Sequence, residues 1–441
     1  MQPHMTIPFA RSLPPDDADR EVLHNEVHAR PTTPIAVPGL VVYVAVRNTG
    51  IGRQEEWEHL KQLSGQADLS LAQMQGNFLR IQTPEARIQW ERHTEFTRYT
   101  IVVDLPATAQ MGPELFASIP VPTQWLSGIP GQTFCAIKLA MIPTALDNPQ
   151  TLLRSALPAF SPDQTVASLM GRNSHSMVVT DFALRADGFE HMLVLLKPGS
   201  EGSRAGRIAQ RLLELETYRL MALRGLPVAK ALSAELNQVE QDLSQIMDQL
   251  NRKEAADQEL LDALVGLAAR IEQAMTLHAF RFSATKAYDG LVTQRIAELR
   301  EVPVSGIQTI GEFMQRRVSP AMATVASSAR RLNDLSERVS RTSELLRTRV
   351  DIATEEQNSM LLEKLTKGQE LQLRLQSTVE GLSIAAISYY VVSLVLYGAK
   401  ALKSAGVPIH PEMAAGVSIP LVLWVVWRTI RKIHAKLQEL H

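Results

Sequence analysis

The sequence predicts a three-part chain: an α+β or α/β N-terminal domain, a long antiparallel α-helical stalk of coiled-coil character, and two C-terminal transmembrane helices. Three observations carry this reading. Up to about residue 200, short apolar runs alternate with Pro and Gly clusters. Beyond it Gly and Pro thin out, and Leu, Gln, Glu and Arg dominate with apolar residues at steps of three and four. Near the end come two uncharged apolar stretches. The expected boundaries are a cytoplasmic domain at 1–200 and a stalk at 201–380, broken near 301–318. A first membrane helix follows at 381–399, an external loop at 400–412, a second membrane helix at 413–427 and a basic cytoplasmic tail at 428–441.

In the first region, Asp16 or Asp17 is placed to cap a short helix through REVLHNEVHAR, which Pro31 and Pro34 would stop. The runs PGLVVYVAVRN, GNFLRIQ, RYTIVVDLP, QTFCAIKLAMIP and EHMLVLLKPG read as strands. Their order is not legible in the pattern. The single cysteine, Cys135, lies in one of these runs and reads as a small core hydrophobe, in keeping with a reducing compartment.

In the second region a helix from about 203 to 224 closes at Gly225-Leu-Pro227. Leu232, Leu236, Val239, Leu243, Ile246 and Leu250 then keep one seam, resumed at Leu260, Leu264, Leu267 and Ile271, with Lys253 and Asp257 interrupting it. If continuous to Arg300, that helix is about 110 Å long. After the breaker Glu301-Val-Pro-Val-Ser-Gly306, a second rod begins near Ser319-Pro320, where Ser caps and Pro fits the first turn. Its apolar positions are Met322, Val325, Leu332, Leu335, Val339, Leu346 and Val350, and it continues through Leu361, Leu365, Leu371 and Leu375 into the membrane segment. Two assemblies satisfy these seams: pairing with other copies, or a bundle within one chain that includes the 203–224 helix.

In the third region GLSIAAISYYVVSLVLYGA is 19 residues without a charge, about the length that crosses a hydrocarbon core roughly 30 Å thick. The second stretch is shorter and holds Pro420. It ends in Trp424 and Trp427 followed by Arg428, Arg431, Lys432 and Lys436, the aromatic-then-basic order of a cytoplasmic membrane face. The N-terminus lacks the apolar core of a secretory signal, and the charge bias puts both termini inside.

With 45 basic and 46 acidic residues the formal net charge is −1. No basic run interleaved with aromatics suggests a phosphate-tracking surface, so nucleic acid is not an expected partner. No GxSxG, P-loop or helix-opening GxGxxG occurs, and the chain is read as a non-enzyme with no catalytic residue assigned. The polar clusters still admit a metal. His24 and His28 stand at i and i+4, while Glu91, His93 and Glu95 share one expected strand face, opposite Trp90 and Phe96. A divalent metal is the one cofactor these residues suggest, and it would bring a hydrolytic or sensing duty. The competing reading is structural: a hydrogen-bonded network, including Glu26 and Arg30, that docks the N-terminal helix. Arg207, Arg211, Glu214 and Tyr218 form a stripe on the 203–224 helix, expected to make ion pairs with a neighbouring domain.

LHNEVHARP, WERHTEF, GRIAQRLLELETYR with ALRGLPVA, and QLRLQSTVEGLSIAAISYYVVSLV, in that order, resemble the bacterial family named domain of unknown function 3422, over nearly the whole chain. The resemblance implies a membrane-anchored protein of the bacterial inner membrane and brings no activity with it. The architecture also resembles, more loosely, the CorA-type divalent-cation channels, which carry Tyr-Gly-Met-Asn at the end of the first membrane helix. Here Tyr397-Gly398-Ala399-Lys400 stands there, so the pore-mouth residues would be Tyr397, Gly398 and Lys400, and Lys400 ammoniums would repel Mg²⁺. The leading functional expectation is an oligomeric membrane anchor presenting its cytoplasmic domain for binding or scaffolding. The alternative is a CorA-like channel or its regulator.

Overall fold

The computed structural model describes residues 17–20, 23, 24, 32–63, 65–74, 76–252, 256–406 and 408–438. The chain forms two compact units, Met1–Arg252 with Ala263–Arg341, and Lys253–Asp262 with Thr342–His441.

The first unit is built on a sheet whose strands are β1 Gly39–Arg47, β2 Phe78–Gln82, β3 Arg87–Arg92, β4 Phe96–Asp104, β5 Gln132–Pro143, β6 Val166–Met170, β7 Ser176–Thr180, β8 Glu190–Leu196 and β9 Val302–Pro303. Their order is β2-β3-β4-β1-β5-β8-β7-β6-β9. β5 and β8 are parallel, and the other pairings are antiparallel. The sheet is therefore mixed. β1 shows why it forms: Leu40, Val42, Val44 and Val46 belong to the core on one face, Val41, Tyr43 and Ala45 to the core on the other. A strand buried on both faces needs apolar residues at both parities, and GLVVYVAVR supplies them. The breaker after residue 300 has a second role. Val302 and Pro303 add the edge strand β9 to β6, and Glu301 turns back so that its carboxylate accepts from Ile310 N at 3.0 Å and Gly311 N at 2.8 Å.

One face is covered by short elements, among them α1 Arg53–Lys61, α2 Thr123–Ser127 and α3 Pro149–Ala156. The other carries α4 Gly202–Leu223, whose Ala205, Ile208, Ala209, Leu212 and Leu213 enter the core together with Val292, Leu299 and Ile310. Gly206 permits a close crossing: a Cβ there would lie 2.1 Å from the Thr33 carbonyl oxygen. Residues 32–35 are held on α4 and β3 by Thr32 Oγ1 donating to Gln210 Oε1 (2.8 Å), by Ile35 N donating to Gly202 O (3.0 Å), and by a Thr33–Gln89 side-chain bond.

The helices that follow are α5 Gly225–Arg252, α6 Asp257–Leu299, α7 Ile310–Arg317, α8 Ser319–Ser404 and α9 Pro411–Gln438. The expected single rod from 227 to 300 is corrected. Arg270 on α6 pairs with Asp242 on α5 at 2.9 Å, whereas one continuous helix would hold residues 28 apart about 42 Å away from each other. The chain reverses between them, and the seam that a continuous rod would offer to a partner closes on itself. Arg331 of α8 joins Glu240 of α5 at 2.9 Å, so α5, α6 and the first part of α8 pack together within one chain. Leu232, Leu236, Val239, Leu243, Leu264, Leu267, Ile271, Leu332, Leu335 and Val339 are all buried there.

In the second unit Asp257 and Arg349 pair at 2.9 Å. Beyond them α8 continues without a break through Gly368 and Gly381, and residues 351–379 are exposed along its whole circumference. Two helices, Ile310–Ser404 and Pro411–Lys432, are long and apolar enough to cross a membrane, with only 6% and 11% of their most apolar stretches buried.

Candidate functional site

β3 ends at Arg92 and β4 starts at Phe96, so residues 93–95 form the turn between them. Glu91, His93 and Glu95 therefore do not share a strand face, because alternation stops where the strand stops. Glu91 turns to Arg98, which donates through Nε at 2.9 Å and through Nη2 to the same carboxylate oxygen. Burial pushes the Glu91 carboxyl up, but the Arg98 guanidinium together with hydrogen bonds from His93 and Gln89 outweighs it and holds the group down to about 2. Glu95 is taken by Arg281 of α6. Both carboxylates thus have guanidinium partners, and among the described residues no group of three or more His, Cys, Asp and Glu is placed to hold a metal ion. His24 lies exposed in a short helical segment; His28, Glu26 and Arg30 lie outside the described residues.

The α4 stripe enters an ionic chain that is buried at Glu91, Arg98 and Glu214 and half-buried at Arg295, Glu298 and Arg211. Glu214 accepts from Gln210 Nε2 at 2.8 Å, from Arg98 Nη1 at 3.4 Å and from Arg295 Nε on α6 at 2.7 Å. Arg295 also joins Glu298 at 2.9 Å, and Glu298 lies 3.5 Å from Arg211. Arg211 does not bond Glu214 despite their helical spacing, since each finds its partner off the helix. Arg207 is exposed. Glu91, Arg98, Glu214, Arg295, Glu298 and Arg211 balance three charges of each sign. Such a chain fixes how β3, β4, α4 and α6 meet.

Beside it opens a cavity of about 480 Å³ lined by Arg53, Asn77, Arg92, His93, Thr94, Phe96, Tyr218, Tyr288 and Leu291. Five separate segments build it. Arg53 opens α1 and donates to Asn77 Oδ1 at 2.7 Å. Asn77 sits at φ 55, a left-handed conformation that Asn tolerates, and its carbonyl accepts from Arg92 N at 2.9 Å. The Arg92 guanidinium reaches Ile51 O at 2.7 Å and Glu56 at 2.7 Å. His93 stacks on Phe96 with centroids 4.5 Å apart, and Tyr218 stacks on Tyr288 at 5.9 Å. Burial pushes both tyrosine hydroxyls up, so they stay protonated donors at neutral pH. Of the residues singled out in the sequence, His93 and Tyr218 meet here. Arg53, Arg92 and Tyr288 were missed: Arg92 stood unremarked inside WERHTEF, and nothing in the order of residues joins a helix start at 53 to a tyrosine at 288.

Near the chain's end, the Lys400 ammonium lies 5.9 Å above the Tyr397 ring, and Arg428 and Arg431 lie over Trp424 and Trp427 at 4.9 and 4.5 Å.

Fold and site together define a mixed-sheet domain with a donor-lined cavity, on a chain that ends in two exposed apolar helices. The chain belongs to the family described as Protein of unknown function (DUF3422), whose model matches residues 15–437. No curated protein and no solved structure matches it.

Proposed function

We propose that the protein is a two-pass anchor of the bacterial inner membrane, without enzymatic activity, that holds its mixed-sheet domain in the cytoplasm for binding or scaffolding. The observation that carries this is the exposure of the two apolar helices: stretches of that length and hydropathy, 6% and 11% buried, are stable in lipid and not in water. Cation–π pairs of Arg428 and Arg431 with Trp424 and Trp427 suit a helix end at the headgroups on the inner side. The test is fractionation followed by labelling. The full chain should pellet with membranes and be released by detergent but not by high salt. Ala405→Cys should react with an impermeant maleimide from the external side, since the native Cys135 is buried. Release by salt, or labelling of Ala405→Cys only after lysis, would overturn the topology.

The anchor is also an oligomer. On the exposed part of α8, Leu361, Leu365, Gly368, Gln372, Leu375, Val379 and Leu382 alternate steps of four and three, and their leucines are 57–67% exposed. Anchored copies hold identical helices at equal height, so this seam meets itself in parallel register. Leu365→Cys should give a disulfide-linked species under mild oxidation, and its failure to cross-link would count against self-association.

A channel or channel regulator of CorA-like build is the second reading, favoured by the continuity of α8 into the first apolar stretch and by the short link to α9. A ring of Lys400 side chains opposes cations at such a pore. Flux of an anion but not of Mg²⁺ through reconstituted liposomes, altered in Lys400→Asn, is the expected result for that reading; no flux of any ion removes it.

A further inference from the structure

We propose that the cavity bounded by Arg53, Arg92, His93 and the Tyr218–Tyr288 pair binds a small organic anion. Its phosphate or carboxylate group would be held by the two guanidiniums and its planar ring would lie on the tyrosine wall. This deepens the binding role given above to the sheet domain and is independent of the membrane anchor.

The lining decides the sign of the ligand. It offers donors from Arg53, Arg92, Asn77, Thr94 and the Tyr218 hydroxyl, while the Tyr288 hydroxyl is hydrogen-bonded to Glu95; no carboxylate is among its described lining residues. A cation would find no counter-charge there. The nearby acids are already engaged, Glu91 by Arg98 and Glu95 by Arg281 and the Tyr288 hydroxyl. Arg53 is exposed and its hydrogen-bond partner is the neutral Asn77 amide, so its positive charge faces the cavity without an offset from that partner. Arg92 is paired with the fully buried Glu56 at 2.7 Å, so it brings hydrogen-bond donors to the cavity while Arg53 brings the charge.

The two arginines are also held in place beforehand. Arg92 Nη2 is fixed to the carbonyl of Ile51, two residues before Arg53, and Asn77 bonds Arg53 through its side chain and Arg92 N through its carbonyl. Guanidiniums tethered to one pair of loops lose little entropy on capturing an oxyanion. At about 480 Å³ the space is in the range of small-ligand sites, far above that needed for solvent alone. The aromatic wall sets the class further, because stacked tyrosines offer a ring face that an inorganic ion would not use.

The test is calorimetric titration of the full chain in detergent with AMP, benzoate, adenosine and inorganic phosphate. AMP or benzoate should bind saturably, more weakly as salt is raised, and adenosine should not bind. Preference for AMP identifies a phosphate ligand, and preference for benzoate a carboxylate. Arg53→Gln, at an exposed position, should weaken binding at least about tenfold. Leu291→Trp should abolish it by filling the space, with Arg154→Gln on α3 as a neutral control. Absence of saturable binding by AMP and benzoate alike, or affinity unchanged in both Arg53→Gln and Leu291→Trp, overturns the proposal. These outcomes leave the fractionation result untouched, so the anchor and the site fail separately.

Discussion

Replacing Arg98 with Leu leaves the buried Glu91 carboxylate without its guanidinium and Glu214 with Arg295 as its remaining guanidinium partner. Arg98 is 5% exposed, and its partners Glu91 and Glu214 are 1% and 4% exposed. Two lines of reasoning give the magnitude. Removing one partner from a buried ion pair costs about 3–5 kcal/mol, because the remaining charge has neither water nor a counter-ion. Independently, the Glu91 carboxyl lies at about 2 against an ordinary 4.5. That depression amounts to about 3 kcal/mol of stability. Its sign follows from proton uptake: the contribution is complete above pH 4.5 and is lost as pH falls through 2. In Arg98→Leu it should be absent, so part of the acid limb below pH 4.5 should flatten. The assay is urea unfolding of the full chain in detergent, followed by the fluorescence of the sheet-domain tryptophans, of which Trp90 adjoins Glu91 in β3. The expected loss is about 3–4 kcal/mol. The double variant Arg98→Leu/Glu91→Leu should recover part of it, because it removes the carboxylate left without a guanidinium while Glu214 keeps Arg295. A single-variant loss below about 1 kcal/mol, or a double variant worse than the single, would refute the argument that these charges are desolvated and mutually required.

Two further outcomes are expected. Gly206→Ala places a Cβ 2.1 Å from a backbone oxygen, so residues 32–35 must shift off α4; thermal unfolding should fall by several degrees, and protease should reach this segment at lower dose than in the parent. Burial holds His59, stacked on Trp125 at 4.6 Å, down to about 4, while the unfolded chain titrates near 6.5. Stability should therefore decline as pH falls from 6.5 toward 4, and His59→Phe, which keeps the ring contact, should shrink the difference in urea midpoint between pH 7 and pH 5. His191, also held down to about 4, first by its burial, leaves a residual slope.

Local pattern carries the elements. The strands β1, β2, β4, β5 and β8 were legible as apolar runs between turn residues, because a strand's burial repeats every two residues and leaves that record in the order of side chains. The strands β6, β7 and β9 were not singled out. VASLM and SMVVT are short, and Val302-Pro303 looks like a break until β6 is beside it. The apolar lengths of the last two helices were equally legible, since hydropathy is a property of consecutive residues.

Partnership is another matter. Arg211 and Glu214 are at ion-pair spacing, yet they bond Glu298, Arg98 and Arg295, from 81 to 116 residues away in the case of Glu214. The seam from 232 to 271 reads as one rod, yet Asp242 meets Arg270 because the chain reverses between them. The cavity draws residues from five segments between 53 and 291, brought together by sheet order and by the packing of α4 and α6. By itself, then, the sequence determined the longer strands, the helices and the apolar spans, because periodicity and hydropathy act over neighbouring residues. Only the tertiary structure decided which charges neutralise each other and which donors are left facing a cavity, because that depends on distance through space, and a buried charge is stable only beside a partner that the linear order does not specify.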